Sequence, residues 1–245
     1  MMRQTIAALI FSLSASSVFA AGTVKVFSAG STEPKTLTGA EHLIDLVGQP
    51  RLANSWWPGA VISEEKATAE ALAQKQALTG RLAALSADAS GDNAAALNAL
   101  RQQIQALKVT GRQLVNLDPD IVRVSERGNP PLQGNYTLWV DGQPTEVTLF
   151  GLISRPGKQP FMPGRDVASY LEGQNRLSGA DRSYAWVVYP DGRTQKVPVA
   201  YWNQRHVEPM PGSLIFVGLD DSFWSSEPEA LNADILHTLM QRIPE

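Results

Sequence analysis

The sequence has 245 residues, of which 43% are apolar, and its formal net charge at pH 7 is −3. This length suits two domains of ordinary size, and the apolar content is enough to fill two cores. The near-neutral charge argues against nucleic acid as a partner, because nucleic-acid binders usually carry a basic excess that neutralises phosphates. Cysteine is absent, which excludes disulfides, thiolate metal sites and cysteine nucleophiles.

The N-terminus has the three parts of a secretory signal peptide. Arg3 precedes an apolar stretch over residues 6–19, and two alanines follow it. We therefore expect residues 1–21 to be a cleaved signal peptide and the mature protein to be secreted into the periplasm. No later run approaches the roughly 20 apolar residues that a transmembrane helix needs, so we expect no membrane span in the mature chain.

A segment in the first half of the sequence reappears in the second half. Residues 38–52, TGAEHLIDLVGQPRL, align without a gap with residues 163–177, PGRDVASYLEGQNRL. A second, weaker match joins 131–140 to 209–218 at a shorter spacing. The chain is therefore expected to use one module twice, with additional residues inserted in the first copy.

In chain order, the first copy opens with a strand-like run over residues 24–27. A helix is expected to follow from Thr38, because Thr38 and Glu41 have the spacing of a capping box, and to end at Gly48. The second copy repeats this helix, with Asp166 near its start. Each copy is thus predicted to carry one short helix flanked by strands.

The inserted residues of the first copy have a helical pattern. Residues 63–107 are rich in Ala, Leu, Gln and Glu, and their leucines recur at spacings of three and four. Ser63 and Asp92 are the expected N-caps of two helices, and the polar loop around Gly91 lets them fold back as an antiparallel hairpin. Such thin apolar stripes are marginal alone, so we expect the hairpin to pack on the sheet that bears it.

Strands are clearest in the second half of the sequence, where runs rich in β-branched and aromatic residues are separated by Asp-Gly and Pro-Gly turns. These runs are TLWV, TEVTLFGLI, SYAWVVY, TQKVPVA and SLIFVGL. The order strand, strand, helix, strand, strand is typical of a β-grasp sheet with one helix across one face. We predict an α+β protein of two tandem β-grasp (SLBB-like) domains, the first over 22–134 with the hairpin inserted at 63–107 and the second over 135–222.

Residues 223–245 form a tail that the second module does not need. Ser226 and Glu229 have capping-box spacing, with Pro228 in the first turn. An apolar stripe follows, with polar residues opposite it: Leu231, Ile235, Leu236, Leu239, Met240 and Ile243 against Asn232, Thr238, Gln241 and Arg242. We predict a C-terminal amphipathic helix that packs on its own module, docks on a partner or, least favourably, enters a membrane.

The order of these features carries a family resemblance. They are the repeated helix ending in Gly-Gln-x-Arg-Leu, the helical insert, the Gly111-Arg112 pair before the next strand, the TLWVDG and GLISRPGK runs, and the tail. In this order they resemble the GfcC family of group 4 capsule and exopolysaccharide operons, and more distantly the β-grasp modules of Wza-type outer-membrane polysaccharide exporters.

The resemblance implies a periplasmic, non-enzymatic protein that supports assembly or export of capsular polysaccharide and has no cofactor. Its partner would be the polysaccharide itself or the outer-membrane exporter. In the exporters, similar modules form periplasmic rings and the terminal helices form a pore. We expect this chain to differ from the exporters by lacking the preceding exporter domain and by carrying the hairpin, which argues against independent pore formation.

Arg112 is the first candidate for ligand binding. The resemblance places an arginine after a glycine where the chain re-enters the sheet, and a guanidinium there could donate two parallel hydrogen bonds to an acidic sugar or a partner carboxylate. The alternative is an ordinary turn residue, because Gly192 and Arg193 occupy the equivalent turn of the second copy.

The tryptophans are the second set of candidates, since an aromatic face suits the apolar side of a pyranose. They are Trp56, Trp57, Trp139, Trp186, Trp202 and Trp224. We expect each to pack, as most tryptophans in β modules do. In a strand, neighbouring Trp56 and Trp57 would point to opposite faces, leaving at most one free; we take Trp57 as the ligand candidate.

Residues for catalysis or metal binding are not indicated. The three histidines, His42, His206 and His237, lack metal-ligand spacing, and no Gly-x-Ser-x-Gly motif occurs. The carboxylate pairs Asp118/Asp120 and Asp220/Asp221 are expected in turns or caps. A polysaccharide-modifying hydrolase, which needs two carboxylates about 5 to 10 Å apart, stays the alternative, and a structural adaptor that touches only the exporter is a third possibility.

Overall fold

The computed structural model describes residues 22–28, 33–222, 224 and 228–244. The expected signal peptide and Ser226 of the expected tail capping box lie outside these residues. The first half contains, in chain order, β1 (Gly22–Ser28), β2 (Lys35–Ala40), α1 (Leu43–Val47), β3 (Val61–Glu64), α2 (Glu65–Asp88), α3 (Gly91–Ala106), α4 (Pro119–Val124) and β4 (Asn135–Val140). The second half contains β5 (Glu146–Gly151), β6 (Gly157–Pro160), α5 (Val167–Tyr170), β7 (Tyr184–Val188), β8 (Thr194–Pro198), β9 (Leu214–Val217) and α6 (Pro228–Met240).

The first sheet has the strand order β2-β1-β4-β3, with β1 and β4 parallel in the centre. Val24 and Val26 alternate with exposed Lys25 along β1, so one face of the strand is buried. Leu43 and Leu46 of α1 join the same hydrophobic cluster. The short helix α1 therefore packs on the buried face of this sheet.

The second sheet has the strand order β6-β5-β9-β7-β8, with β5 and β9 parallel. Its first four strands repeat the pairing of the first sheet, and β8 is added at the edge. Asp166 begins α5 by accepting a hydrogen bond from the Ser169 N–H at 2.9 Å. The α+β class and the tandem β-grasp arrangement predicted from the repeat are confirmed.

The expected boundary between the two domains, at residues 134 and 135, does not coincide with the boundary between the two sheets. The run TLWV was assigned to the second domain, which was to begin at residue 135. The structure places these residues in β4, where Val24 of β1 pairs in parallel with Tyr136. Parallel strands need a long crossover connection, and the stretch between β1 and β4, which includes the hairpin, supplies it. The second sheet begins at β5.

The hairpin is present, but its packing partner is not the expected one. Helices α2 and α3 bury Leu82, Leu97 and Leu100 in the hydrophobic cluster of the second sheet and α6. In the first sheet, α1 and residues Leu117 and Val122 already belong to the cluster on its buried face. The apolar stripe of the hairpin therefore lies against the second module, and the insert joins the two halves of the molecule.

Three expected helix starts are wrong, and two of them, at Thr38 and Ser63, are wrong because strand pairing extends further than the capping patterns suggest. Thr38 lies in β2 and pairs with Thr23, and α1 begins only at Leu43. Ser63 is buried in β3, so α2 begins at Glu65. Asp92 lies in the first turn of α3 and is not its N-cap.

Helix α6 packs on its own module, the first of the three possibilities. Its apolar stripe joins the second cluster, but the opposite side is not solvated as the pattern suggested. Asn232 is buried and its side chain bonds both backbone groups of Leu219, at 2.9 and 2.8 Å. On the hairpin side, Asp234 accepts from Arg81 at 2.7 Å. Within the described ranges, no helix is long and apolar enough to span a bilayer.

Candidate functional site

The segment that leaves the hairpin returns to the first sheet beside β3. Arg112 forms an isolated antiparallel bridge with Ser63, and the Gln113 N–H donates to the Ile62 carbonyl at 2.8 Å. This segment also pairs with the C-terminus, where the Thr110 N–H donates to the Gln241 carbonyl at 2.8 Å. Arg112 therefore stands where the first sheet, the hairpin and the end of α6 meet.

Gly111 makes this close approach possible. A Cβ atom at position 111 would lie 2.1 Å from the backbone carbonyl carbon of Ala67, in the first turn of α2. The Gly111 N–H donates to the hydroxyl of Thr68 at 3.0 Å. The glycine before the arginine is thus required by backbone packing, which is a physical reason for the Gly-Arg pair in the sequence.

The Arg112 side chain is buried and reaches the second module. It donates to the Pro190 carbonyl at 2.6 Å and, more weakly, to the Met240 carbonyl at 3.5 Å. Gly192, with φ +90°, lies so close that a Cβ there would be 3.3 Å from the guanidinium carbon. The two Gly-Arg turns, treated as equivalent positions in the sequence, contact each other in the structure.

A second arginine lies in the same junction. Arg242 donates to the carbonyls of Val188 at 3.1 Å and Gly212 at 3.0 Å, and its backbone bridges to Val109. In the described part of the chain, the hydrogen bonds of both guanidinium groups go to backbone carbonyls. Arg193, by contrast, is exposed and forms an ion pair with Asp191.

Burial shapes the electrostatics of both arginines. Loss of hydration lowers the pKa of Arg112 to about 10, and the charge of Asp191 partly offsets this effect. Burial also lowers the pKa of Arg242 to about 10, and repulsion from Arg112 acts in the same direction. Both groups stay cationic at neutral pH, so the junction holds two positive charges close together at a cost in folding free energy.

These arginines line a cleft of about 240 Å³ between the modules. Lys108, Lys158 and Glu146 stand at its wall, and Lys158 pairs with Glu146 at 3.3 Å. The balance of these charged side chains is positive, and Trp56 adds an aromatic surface. Such a cleft can accept an anionic group, such as the carboxylate of an acidic sugar, by charge-assisted hydrogen bonds.

Trp57, the other ligand candidate, does not enter this cleft. It begins a 3-10 turn, Trp57–Gly59, and is half-buried against the core of the first module. Its other side borders a neighbouring groove that Arg112 also lines. Trp56 borders the cleft and lies over Gly59, where a Cβ would approach the indole ring to 2.6 Å. The tandem tryptophans thus face two different recesses that share Arg112.

The sequence did not indicate Arg242, Lys108 or Lys158 as site residues. The sequence pattern places Arg242 opposite the apolar stripe of the tail, and only the folded chain brings it into the same cleft as Arg112. Helical periodicity does not predict this position, because the residues that contact Arg242 are distant in the chain. They are Val188 in β7, Gly212 just before β9 and Val109 just after α3.

The carboxylates considered for hydrolysis have local structural roles. Asp118 caps α4 by accepting from the Asp120 N–H at 2.9 Å, and Asp220 accepts from the Ser222 N–H at 2.8 Å. Of the histidines, His206 contacts Glu208 at 2.9 Å. No group of three or more acidic or histidine side chains suited to a metal ion occurs within the described residues.

Comparison with known proteins gives matches along nearly all of the chain. Residues 20–143 match the family described as capsule biosynthesis GfcC, N-terminal, and residues 155–244 match capsule biosynthesis GfcC C-terminal. The chain is also similar to the uncharacterized protein YjbG of Escherichia coli (strain K12), with 80% identity over 245 residues that cover 100% of both chains.

Proposed function

Because the chain belongs to the GfcC family of capsule biosynthesis proteins, we propose that it supports polysaccharide assembly or export in the periplasm by binding, without covalent chemistry. Its partner is the capsular polysaccharide or the outer-membrane exporter. The observation that carries this proposal is the cationic cleft between the modules, where Arg112 and Arg242 are held charged and partly desolvated.

Arg112 is the proposed ligand contact within this cleft. The described part of the chain engages its two terminal nitrogens with carbonyls, and a guanidinium has five N–H donors, so donors are left for a carboxylate. The neighbouring groove offers Trp57 as a surface for a sugar ring or a partner side chain. Acidic glycans and carboxylates of a protein partner satisfy the same chemistry.

The test compares Arg112→Lys with Lys158→Ala in cells from which the chromosomal copy has been deleted. Lysine at position 112 keeps the positive charge but loses the planar donor pair. We expect surface polysaccharide to fall several-fold with Arg112→Lys, while the melting temperature of the purified variant stays within a few degrees of the wild type. Lys158→Ala, at the cleft wall, should have a smaller effect on output.

Parallel losses of polysaccharide and of thermal stability would make Arg112 a structural residue and remove the ligand proposal. A pull-down from periplasmic extract separates the partners: exporter capture without affinity for purified polysaccharide would favour the structural adaptor. Turnover of purified polysaccharide that is lost with Asp118→Asn or Asp220→Asn would instead support the hydrolase alternative.

A further inference from the structure

Two aromatic side chains stand in solvent at the end of the second sheet. Tyr201 is 98% exposed and Trp202 is 74% exposed, in the turn that follows β8. The expectation that each tryptophan packs is therefore wrong for Trp202. A large aromatic surface left in water forgoes the free energy that its burial would give, so its exposure calls for an explanation by binding.

The turn that carries both rings is fixed by its own hydrogen bonds. The Asn203 side chain accepts from the Ala200 N–H at 3.0 Å and donates to the Ser183 carbonyl at 3.3 Å. The Gln204 N–H donates to the Ala200 carbonyl at 2.8 Å. The backbone under Tyr201 and Trp202 is thus ordered before any ligand arrives, which lowers the entropic cost of binding.

A third ring lies at the same end of the sheet. Tyr184, which begins β7 next to Ser183, pairs with Pro198 at the end of β8 and is 38% exposed. The Lys196 ammonium stands 4.8 Å from its ring centre. We call Tyr184, Tyr201 and Trp202 the aromatic tip.

The charges around the aromatic tip favour a sugar over a lipid surface. Arg205 and His206 are followed by Glu208, which contacts His206, and Gln204 donates to the carboxylate of Asp166 at 3.1 Å. Basic and acidic groups are therefore mixed here, whereas attraction to an anionic bilayer comes from an excess of basic residues near the surface. Aromatic rings followed in the chain by amide, guanidinium and carboxylate side chains suit a pyranose, which has C–H faces and hydroxyl edges.

We propose that Tyr201 and Trp202 are a carbohydrate-binding platform that stacks on pyranose rings of a polysaccharide chain. This platform is separate from the arginine cleft, and none of its residues lines that cleft. The inference rests on the proposed function for the identity of the polymer, which is the surface polysaccharide that the protein helps to assemble. A platform of this kind recognises ring faces and leaves the cleft to recognise acidic substituents.

Affinity electrophoresis in gels that contain surface polysaccharide purified from the producing cells tests the platform with the full mature chain. Wild-type protein should be retarded, and Tyr201→Ala/Trp202→Ala should raise the apparent dissociation constant at least about tenfold, as loss of aromatic anchors does elsewhere. Trp202→Phe keeps a ring and should retain most of the retardation. Val124→Ala, at an apolar side chain that is 83% exposed on α4, is the matched control and should behave as wild type.

Equal retardation of wild type and the double alanine variant, or none for wild type, would overturn the platform. Binding of wild type to phosphatidylglycerol vesicles that the double variant loses, without any effect in the polysaccharide gel, would also overturn it. The proposed function is judged separately, by polysaccharide output of Arg112→Lys cells. That output can fall while the platform fails, or stay normal while the platform holds.

Discussion

At the residue scale, adding a single methyl group at Gly111 is predicted to lower the stability of the protein strongly. Gly111→Ala would place a methyl group against the backbone of Ala67 and Thr68, atoms that cannot move without shifting the start of α2. We expect unfolding free energy to fall by more than about 2 kcal/mol, measured by urea denaturation.

Gly80→Ala is the matched control for this prediction. Gly80 lies within α2, and a Cβ there would meet nothing within 4 Å. Alanine has the higher helix propensity, so this change should stabilise the protein by about 0.5–1 kcal/mol. If Gly111→Ala lowers the unfolding free energy and Gly80→Ala raises it, the loss at position 111 comes from packing and not from the loss of a glycine in general.

His206 and Glu208 provide a pH-dependent contact. The hydrogen bond to Glu208 raises the pKa of His206 above its ordinary 6.5, and the same bond lowers the pKa of Glu208 below 4.5. The histidine's contribution to stability is complete below 6.5 and is lost as pH rises through its raised pKa. The contribution of Glu208 to stability is complete above pH 4.5 and is lost as pH falls through its lowered pKa. Both residues therefore contribute fully between pH 4.5 and 6.5.

Glu208→Gln should therefore lower the titration midpoint of His206, followed by NMR of its ring protons. Glu70→Gln, at an exposed carboxylate on the hairpin, should leave that midpoint where it is. An unchanged midpoint in the Glu208 variant would show that the contact does not persist in solution.

Sequence reasoning at this scale succeeded where a residue's partner is local and failed where it is distant. Asp166 was placed at a helix start and caps α5. Arg112 was singled out by the family resemblance, but nothing in the sequence indicated that its side chain would reach Pro190 and Met240, which lie far away in the chain. The sequence around Arg242 and Trp202 did not predict that the first would be partly buried and the second exposed. Whether either side chain is covered depends on segments far away in the chain.

At the element scale, the hairpin is inserted in the first module, but it buries its apolar side chains against the second module. Leu97 of α3 is fully buried in the second cluster, so Leu97→Ala should cost about 2–5 kcal/mol of unfolding free energy. Leu72→Ala, at a half-exposed leucine of α2, should cost less than about 1 kcal/mol. Chemical denaturation of both variants measures the difference, and similar small losses would contradict this packing.

Helices and strands were predictable from periodicity, but their packing partners were not. The spacing of leucines defined the two hairpin helices, and a stripe of this kind says only that some apolar surface must cover it. The choice of the second sheet follows from α1 and α4 already meeting the buried face of the first. Strand pairing likewise overrode the capping patterns at Thr38 and Ser63.

At the scale of the whole molecule, the hairpin, the Arg112 junction and the pairing of residues 108–110 with 241–243 connect the two modules. We expect one cooperative thermal transition, with the calorimetric and van't Hoff enthalpies in agreement. Two resolved transitions in scanning calorimetry, or an enthalpy ratio well above one, would mean that the modules unfold separately.

The repeat in the sequence was sufficient to predict this architecture, because both copies conserve the same parallel central pair, β1 with β4 and β5 with β9. The bound between the modules was harder to place. Strand β4 follows the long insert and immediately precedes β5 in the chain, so proximity in sequence suggested the wrong sheet. Only the weaker match between 131–140 and 209–218 carried the correct assignment.

The crossing of the hairpin to the second module has a consequence for biogenesis. The ribosome delivers α2 and α3 before β5, β9 and α6 exist, so Leu82, Leu97 and Ile104 have no sheet to cover them until almost the last residue has been made. The growing chain therefore exposes an aggregation-prone leucine surface until these later elements have been made. Its native state can be completed only after the residues of α6 have been made.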